Sequence, residues 1–135
     1  MIYLLDTDFL SLFSKKRIPT AAERWFAGHE ADCRISIVTW AELHFGVQAA
    51  AEADRPALAA WLETVETAFQ TATLPLGLPE LTRWKVLLAD LKSKNRTLSC
   101  EDTLIAATAL HHGCQVVTLN QRHFLPTGVK VLTPV

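Results

Sequence analysis

Four residues of this chain have the types and positions for chemistry: Asp6, Glu42, Asp102 and Asn120. Each stands where an apolar run stops or at the head of the helix that follows. In an open parallel α/β sheet those stops all face one rim, and ligands bind there. Three carboxylates gathered at one rim repel one another unless a divalent cation neutralises them. The chemistry indicated is metal-assisted attack on a phosphate.

Each residue also has an ordinary explanation. Asp6 and Asp8 flank Thr7, and either could cap the helix that starts there; Asp8 suits the cap better, because Asp6 ends the strand. Glu42 complements the N-terminal end of a helix dipole, yet its neighbours Trp40, Ala41, Leu43 and Phe45 are apolar and suggest packed surroundings. Ser99-x-x-Asp102 has the form of a capping box. The alanine-rich helix that follows can pack closely on a sheet and hold the Asp102 carboxylate at a fixed point. Glu101, about 100° further round the helix, is expected to point elsewhere. Asn120 would add an oxygen donor without a further negative charge. His111 and His112, also about 100° apart on a helix, are expected to serve as cations at its C-terminus rather than to face one ion.

A rim requires a sheet. Residues 2–5, 34–38, 71–74, 115–119 and 129–132 read as strands, the last a short edge strand. Helical spacing runs from Thr7 to the basic stop at Lys15, from Pro19 to a C-cap at Gly28, and from Thr39 to Ala50. Asp54 is expected to cap the next helix, whose buried face is Leu58, Trp61, Leu62, Val65 and Phe69. Two more helices run from Pro79 to about Lys94 and from Ser99 to Gly113. Alternating strands and helices predict a mainly parallel sheet of four to five strands between two helical layers, an α/β fold.

The bulk properties agree. At 135 residues the chain suits one domain, residues 1–135, with its own core. A net charge of −1 excludes a protein that coats nucleic acid by bulk electrostatics, though a metal-assisted nuclease needs only local basic groups. No apolar stretch approaches the roughly 18 residues of a membrane span, so no membrane association and a cytoplasmic location are expected. The three cysteines match neither a disulfide framework nor a zinc ribbon. Among four tryptophans, Trp40, Trp61 and Trp84 fall at core-type positions, and Trp25 with Phe26 is the pair free for a partner or an unpaired base.

In order, Leu5-Asp6-Thr7-Asp8, the segment from Ser36 to Val47 with Glu42 in it, Asp102-Thr103-Leu104-Ile105-Ala106-Ala107, and Val117-Thr118-Leu119-Asn120 through Phe124 resemble the PIN-domain ribonucleases, and among them the VapC toxins of type II toxin–antitoxin pairs. The resemblance covers nearly the whole chain and implies a three-layer PIN-like fold and a Mg²⁺-dependent endoribonuclease in which Mn²⁺ can substitute. Asp6, Glu42 and Asp102 fall on the family's acidic, metal-holding positions and Asn120 on a fourth that varies between Asp and Asn. Asp8 stands where the family more often has Asn, and Asn95-Arg96 where it has Gly-Arg. Thr7, Thr118 and Asp8 are the expected orienting groups, and Arg96 and Arg122 the expected RNA contacts. Also implied are cleavage to a 3′-hydroxyl and a 5′-phosphate, a homodimer within a larger assembly, and a VapB-like antitoxin in a groove near Phe9, Leu12, Trp25 and Phe26. Two alternatives stand beside this. An apolar strand followed by Asp-x-Asp also opens haloacid-dehalogenase-type phosphatases, and Asn120 in place of an acid suits a non-catalytic interaction domain.

Overall fold

Strand register decides where the rim lies. The computed structural model describes residues 1–135. Its strands are β1 (Tyr3–Leu5), β2 (Cys33–Ser36), β3 (Thr73–Leu74), β4 (Gln115–Val117) and β5 (Val131–Leu132). All pair in parallel, in the order β3-β2-β1-β4-β5. Leu5 lies level with Ile35 on one side and Val117 on the other. Asp6, Ser36 and Thr118, each next in sequence, therefore emerge side by side. From β1 the chain passes to β2 on one flank and later returns to β4 on the other. The crevice between β1 and β4 is thus the topological switch point, where open α/β sheets bind ligands.

The helices are α1 (Thr7–Ser11), α2 (Thr20–His29), α3 (Ile37–Ala49), α4 (Arg55–Ala68), α5 (Leu78–Ser93), α6 (Cys100–His112) and α7 (Gln121–Phe124). Side chains of successive strand residues point to opposite faces, and this divides the core in two. Leu4 and Val116 join Leu87, Leu91, Ile105, Ala106 and Phe124 on one face. Leu5, Ile35 and Val117 join Phe9, Leu10, Trp40, Leu43 and Leu62 on the other. The result is the expected three-layer α/β/α fold. Complete burial of Ala106, Ala107 and Ala109 lets α6 lie close on the sheet, which fixes the position of its first turn.

Several boundaries differ from the sequence reading. β2 stops at Ser36, whose Oγ accepts from Val38 N–H at 3.1 Å; this cap starts α3 at Ile37 rather than Thr39. Gly28 is not a C-cap. His29 extends α2 by one residue, its Nδ1 bonded to the Trp25 carbonyl at 2.6 Å and its ring stacked on that indole at 4.6 Å. Asp54 precedes α4 but makes no side-chain cap; the Arg55 guanidinium holds this turn through the carbonyls of Gln48 and Ala50. Ser99 and Gly113 do bound α6, the glycine in the left-handed conformation at φ +69°. Asn95 is left-handed too, at φ +56°, as a Gly-like position ahead of Arg96 requires. Two of the three core-type tryptophans are anchored, Trp40 Nε1 donating to Thr73 Oγ1 and Trp84 Nε1 to Thr103 Oγ1, both at 2.9 Å, while Trp61 is partly buried against the core. All three cysteines are free thiols, and no helix is long and apolar enough to cross a membrane.

Candidate metal and phosphodiester site

Asp6 continues the sheet one residue past β1, its N–H bonded to the Val117 carbonyl at 2.8 Å. Its carboxylate turns into the rim and is 7% exposed. One oxygen accepts from Thr7 N–H at 2.9 Å, capping α1; the other accepts from Thr118 Oγ1 at 2.8 Å. Asp6, rather than Asp8, is therefore the cap. It does both jobs at once, because a carboxylate has lone pairs enough for a cap and a ligand.

Asp8 takes donors from the β4 side: Leu119 N–H at 3.2 Å and Asn120 Nδ2 at 2.7 Å. Asn120 thus turns its amide nitrogen to Asp8 and leaves its carbonyl oxygen for other partners. Glu42, in the second turn of α3, accepts from Thr7 Oγ1 at 2.6 Å. Asp102, in the first turn of α6, is fixed through its backbone N–H, which donates to Ser99 Oγ at 3.1 Å. Its carboxylate faces His123 Nδ1 at 3.4 Å. Thr7 thus donates its hydroxyl to Glu42 and Thr118 its own to Asp6.

The electrostatics show a cluster short of positive charge. Burial, with the neighbouring charge of Asp8, pushes the Asp6 carboxyl up to about 7, although Thr118 and Thr7 pull it down; Asp102 adds to the rise. The Glu42 carboxyl is raised by burial against the pull of Thr7, and by the charges of Glu101, Asp102 and Asp8. Five acids therefore act on one another, and no lysine or arginine is paired with any of them. No three of these carboxylates come within 4.8 Å of one another as a set. The donors are all hard oxygens, which suits Mg²⁺ or Mn²⁺ better than softer ions.

Two participants were not assigned from sequence. Glu101 was expected to point away, yet it shares with Glu42 a cleft of about 440 Å³ also lined by Val38, Ala41, Phe45 and Leu104. The first turn of α6 lies beside α3, so consecutive residues straddle the crevice instead of leaving it. His123 had no role assigned beside its neighbour Arg122; its place three residues after Asn120, in α7, carries it to Asp102. Of the expected RNA contacts, Arg122 lines a cleft with Asn120 and His123, and Arg96 another with Lys92, Asn95 and Thr103. Among the expected antitoxin contacts, Phe9 is fully buried and underlies the surface rather than forming it. Its ring packs edge-on against Trp25 at 5.7 Å. Leu12, Trp25 and Phe26 are half-buried.

The chain is similar to known proteins along nearly its whole length. The PIN domain family model matches residues 3–127. A ribonuclease VapC1 of Rickettsia felis is 31% identical over 132 residues, 96% of this chain and 94% of the relative. The crystal structure of FitAcB from Neisseria gonorrhoeae superposes with a TM-score of 0.90 at 26% identity, covering 98% of each chain. VapBC-5 from Mycobacterium tuberculosis, a member of the VapBC family of toxin–antitoxin systems, does so with a TM-score of 0.74 at 27% identity, covering 97% of each. With its acid cluster gathered at the switch point and this likeness along nearly its full length, the chain belongs to the PIN-domain family and, within it, to the VapC ribonucleases.

Proposed function

We propose that this protein is a Mg²⁺-dependent endoribonuclease, the toxin of a toxin–antitoxin pair, with residues 1–135 acting as one PIN-like unit in the cytoplasm. The observation that carries the reading is the unneutralised acid cluster at the β1–β4 crevice, where burial and like charge hold one carboxyl near neutrality. Asp6, Asp102 and Glu42 would hold the ion, in part through water, with the Asn120 carbonyl oxygen beside them. Mn²⁺ would serve in its place. Bound there, the ion would supply a water acidic enough to attack a phosphodiester and would offset charge on the leaving oxygen.

The remaining work belongs to the protein. Thr118 and Thr7 each donate a single hydroxyl proton, which fixes the face that Asp6 and Glu42 offer. Asn120 and the Leu119 N–H hold Asp8 still, so its charge stays beside Asp6. Arg122, and Arg96 at the α5–α6 turn, would contact RNA phosphates on either side of the scissile bond. Phe45, 68% exposed next to Glu42, offers a ring on which an unpaired base can stack. The phosphatase alternative gains nothing from this geometry: Asp8, its required acid–base, is occupied by donors from the β4 end.

Chelation gives the direct test. Cleavage of a mixed RNA substrate should fall by about 10³-fold or more in EDTA, since a catalytic ion contributes several kcal/mol, and return with Mg²⁺ or Mn²⁺. Cleavage that persists in EDTA, or none in either ion, would overturn the assignment.

For the partner, the structural neighbours that are toxin–antitoxin complexes support a VapB-like antitoxin; the toxin is proposed to enter that assembly as a homodimer. The half-buried aromatics of α2 are the surface proposed to meet it. Hydrogen exchange of α1 and α2 amides should slow at least tenfold when the antitoxin binds. Unchanged exchange there, with protection elsewhere, would place the antitoxin on another face.

A further inference from the structure

Glu80 lies away from the rim, at the start of α5, and is 3% exposed. It is shielded by its own helix turn and two imidazoles rather than by depth in the core. Oε1 accepts from Gly77 N–H at 2.8 Å, a side-chain cap on the backbone donor just ahead of α5. A Cβ on residue 77 would stand 3.2 Å from that oxygen, so glycine leaves the carboxylate its room. A cap uses one oxygen. The other, Oε2, faces His112 Nε2 at 2.9 Å and His111 Nε2 at 3.8 Å.

Adjacent helical residues diverge by about 100°, and from sequence these two histidines were not expected to share an ion. The fold answers that objection by setting Glu80 in the gap between them. α5 and α6 are antiparallel, so the first turn of one meets the last turn of the other. The two rings stand nearly perpendicular, with centroids 4.9 Å apart, and both turn a nitrogen inward. One ligand atom from each of the three residues lies within 4.8 Å of the other two, the only such trio of acid, histidine or cysteine groups in the protein.

We propose that Glu80, His111 and His112 form a binding site for a borderline-soft divalent metal ion, Zn²⁺ foremost, that staples the start of α5 to the end of α6 and is separate from the acidic rim. Two imidazoles and a carboxylate are a donor set zinc takes with a fourth position left to water, whereas Mg²⁺ favours oxygen alone. Donors about 2.0–2.2 Å from a tetrahedral ion stand roughly 3.4 Å apart. The distances of 2.9 and 3.8 Å bracket that value, so small side-chain rotations complete the geometry. Gly77 N–H supplies the hydrogen bond behind the ligand that orients a metal-binding carboxylate. A helix cap, or a single imidazole–carboxylate bond, leaves the approach of His111 to the same oxygen unexplained. His112 and Asp102 are ten residues apart on one helix, about 15 Å, which keeps the two sites distinct.

The test uses the full chain carrying Asp6→Asn and Asp102→Asn, stripped of metal, so that the rim does not compete. Calorimetric titration with Zn²⁺ at pH 7.5 should show one equivalent bound and a raised melting temperature; Co²⁺ should give the visible absorption of a tetrahedral nitrogen–oxygen site. Adding His111→Ala, at a side chain 38% exposed, should weaken Zn²⁺ binding at least tenfold and abolish that absorption. Glu80→Gln should weaken binding similarly, because its amide oxygen still caps Gly77 while its charge is lost. If Glu80→Gln fails to fold, His111→Ala decides alone. No saturable Zn²⁺ uptake, or uptake unchanged in folded His111→Ala, overturns the proposal.

Discussion

Asp6→Asn should lower RNA cleavage by about 10³-fold or more and, at the same time, raise the melting temperature of the metal-free protein at pH 8. The two effects share one cause. Asp6 is the most buried acid of the rim, and burial together with Asp8 raises its carboxyl to about 7. Ionised at pH 8, it costs the fold stability in return for a charged metal ligand. Asparagine keeps an oxygen for the Thr7 N–H cap and a polar group for Thr118, so the local hydrogen bonds survive. Removing one unpaired buried charge should then stabilise by about 2 kcal/mol, several degrees for a domain of this size. Thermal melts in EDTA and a cleavage assay in Mg²⁺ read the two halves. A variant that cleaves normally would remove Asp6 from the site; one that melts lower would mean the cap outweighs the charge.

The second large effect is on the pH dependence of stability. Asp6 holds its proton to about pH 7 in the fold and to 3.8 in the unfolded chain. Its contribution to stability is therefore complete below about pH 4, declines as pH rises through the interval to 7, and is gone above it. Between pH 5 and pH 8 this amounts to about 2–3 kcal/mol. Glu42, also raised by burial and neighbouring acids, acts in the same direction. Glu80 acts oppositely. Burial pushes it up, but the N–H groups of Gly77 and of Glu80 itself, with His112, outweigh this and lower it, so its contribution is lost as the solution turns acidic. Urea denaturation in EDTA should thus find greater stability at pH 5 than at pH 8. Millimolar Mg²⁺ should recover the loss at pH 8, because an ion that binds only the folded state stabilises it by mass action. A metal-free protein that grows more stable from pH 5 to pH 8 would mean that the rim acids do not oppose one another.

Much of this site could be read before the fold was known, and the reason is geometric. In a parallel sheet whose strands stay in register, the residue after each strand is at the rim, so Asp6 follows from finding where the first apolar run ends; the fourth run reads to Leu119, two residues past the end of β4, and marks Asn120 rather than Thr118. Glu42 follows from the helix that leaves β2, and Asp102 from the head of α6, which comes after α5 rather than after a strand. Side-chain direction around a helix axis was harder to read. Glu101, His111 and His112 were all judged by angular separation alone, and each proved to face a group on a neighbouring helix that sequence spacing does not reveal. Cap identity was hard for a related reason: Asp6 and Asp8 have the same side chain, and only the donors of β4, more than a hundred residues away, separate their roles. His29 shows the same limit, since its stacking on Trp25 overrides the glycine that would otherwise end α2.

The two outermost strands, β3 and β5, contain two residues each. An extended peptide arriving at either border would find too few free amides and carbonyls to zip onto. Growth of the sheet across a molecular boundary is thereby discouraged, and fibre-like stacking with it. Companions of this protein must instead be met through side chains on helical surfaces, which ties recognition to sequence and not to backbone.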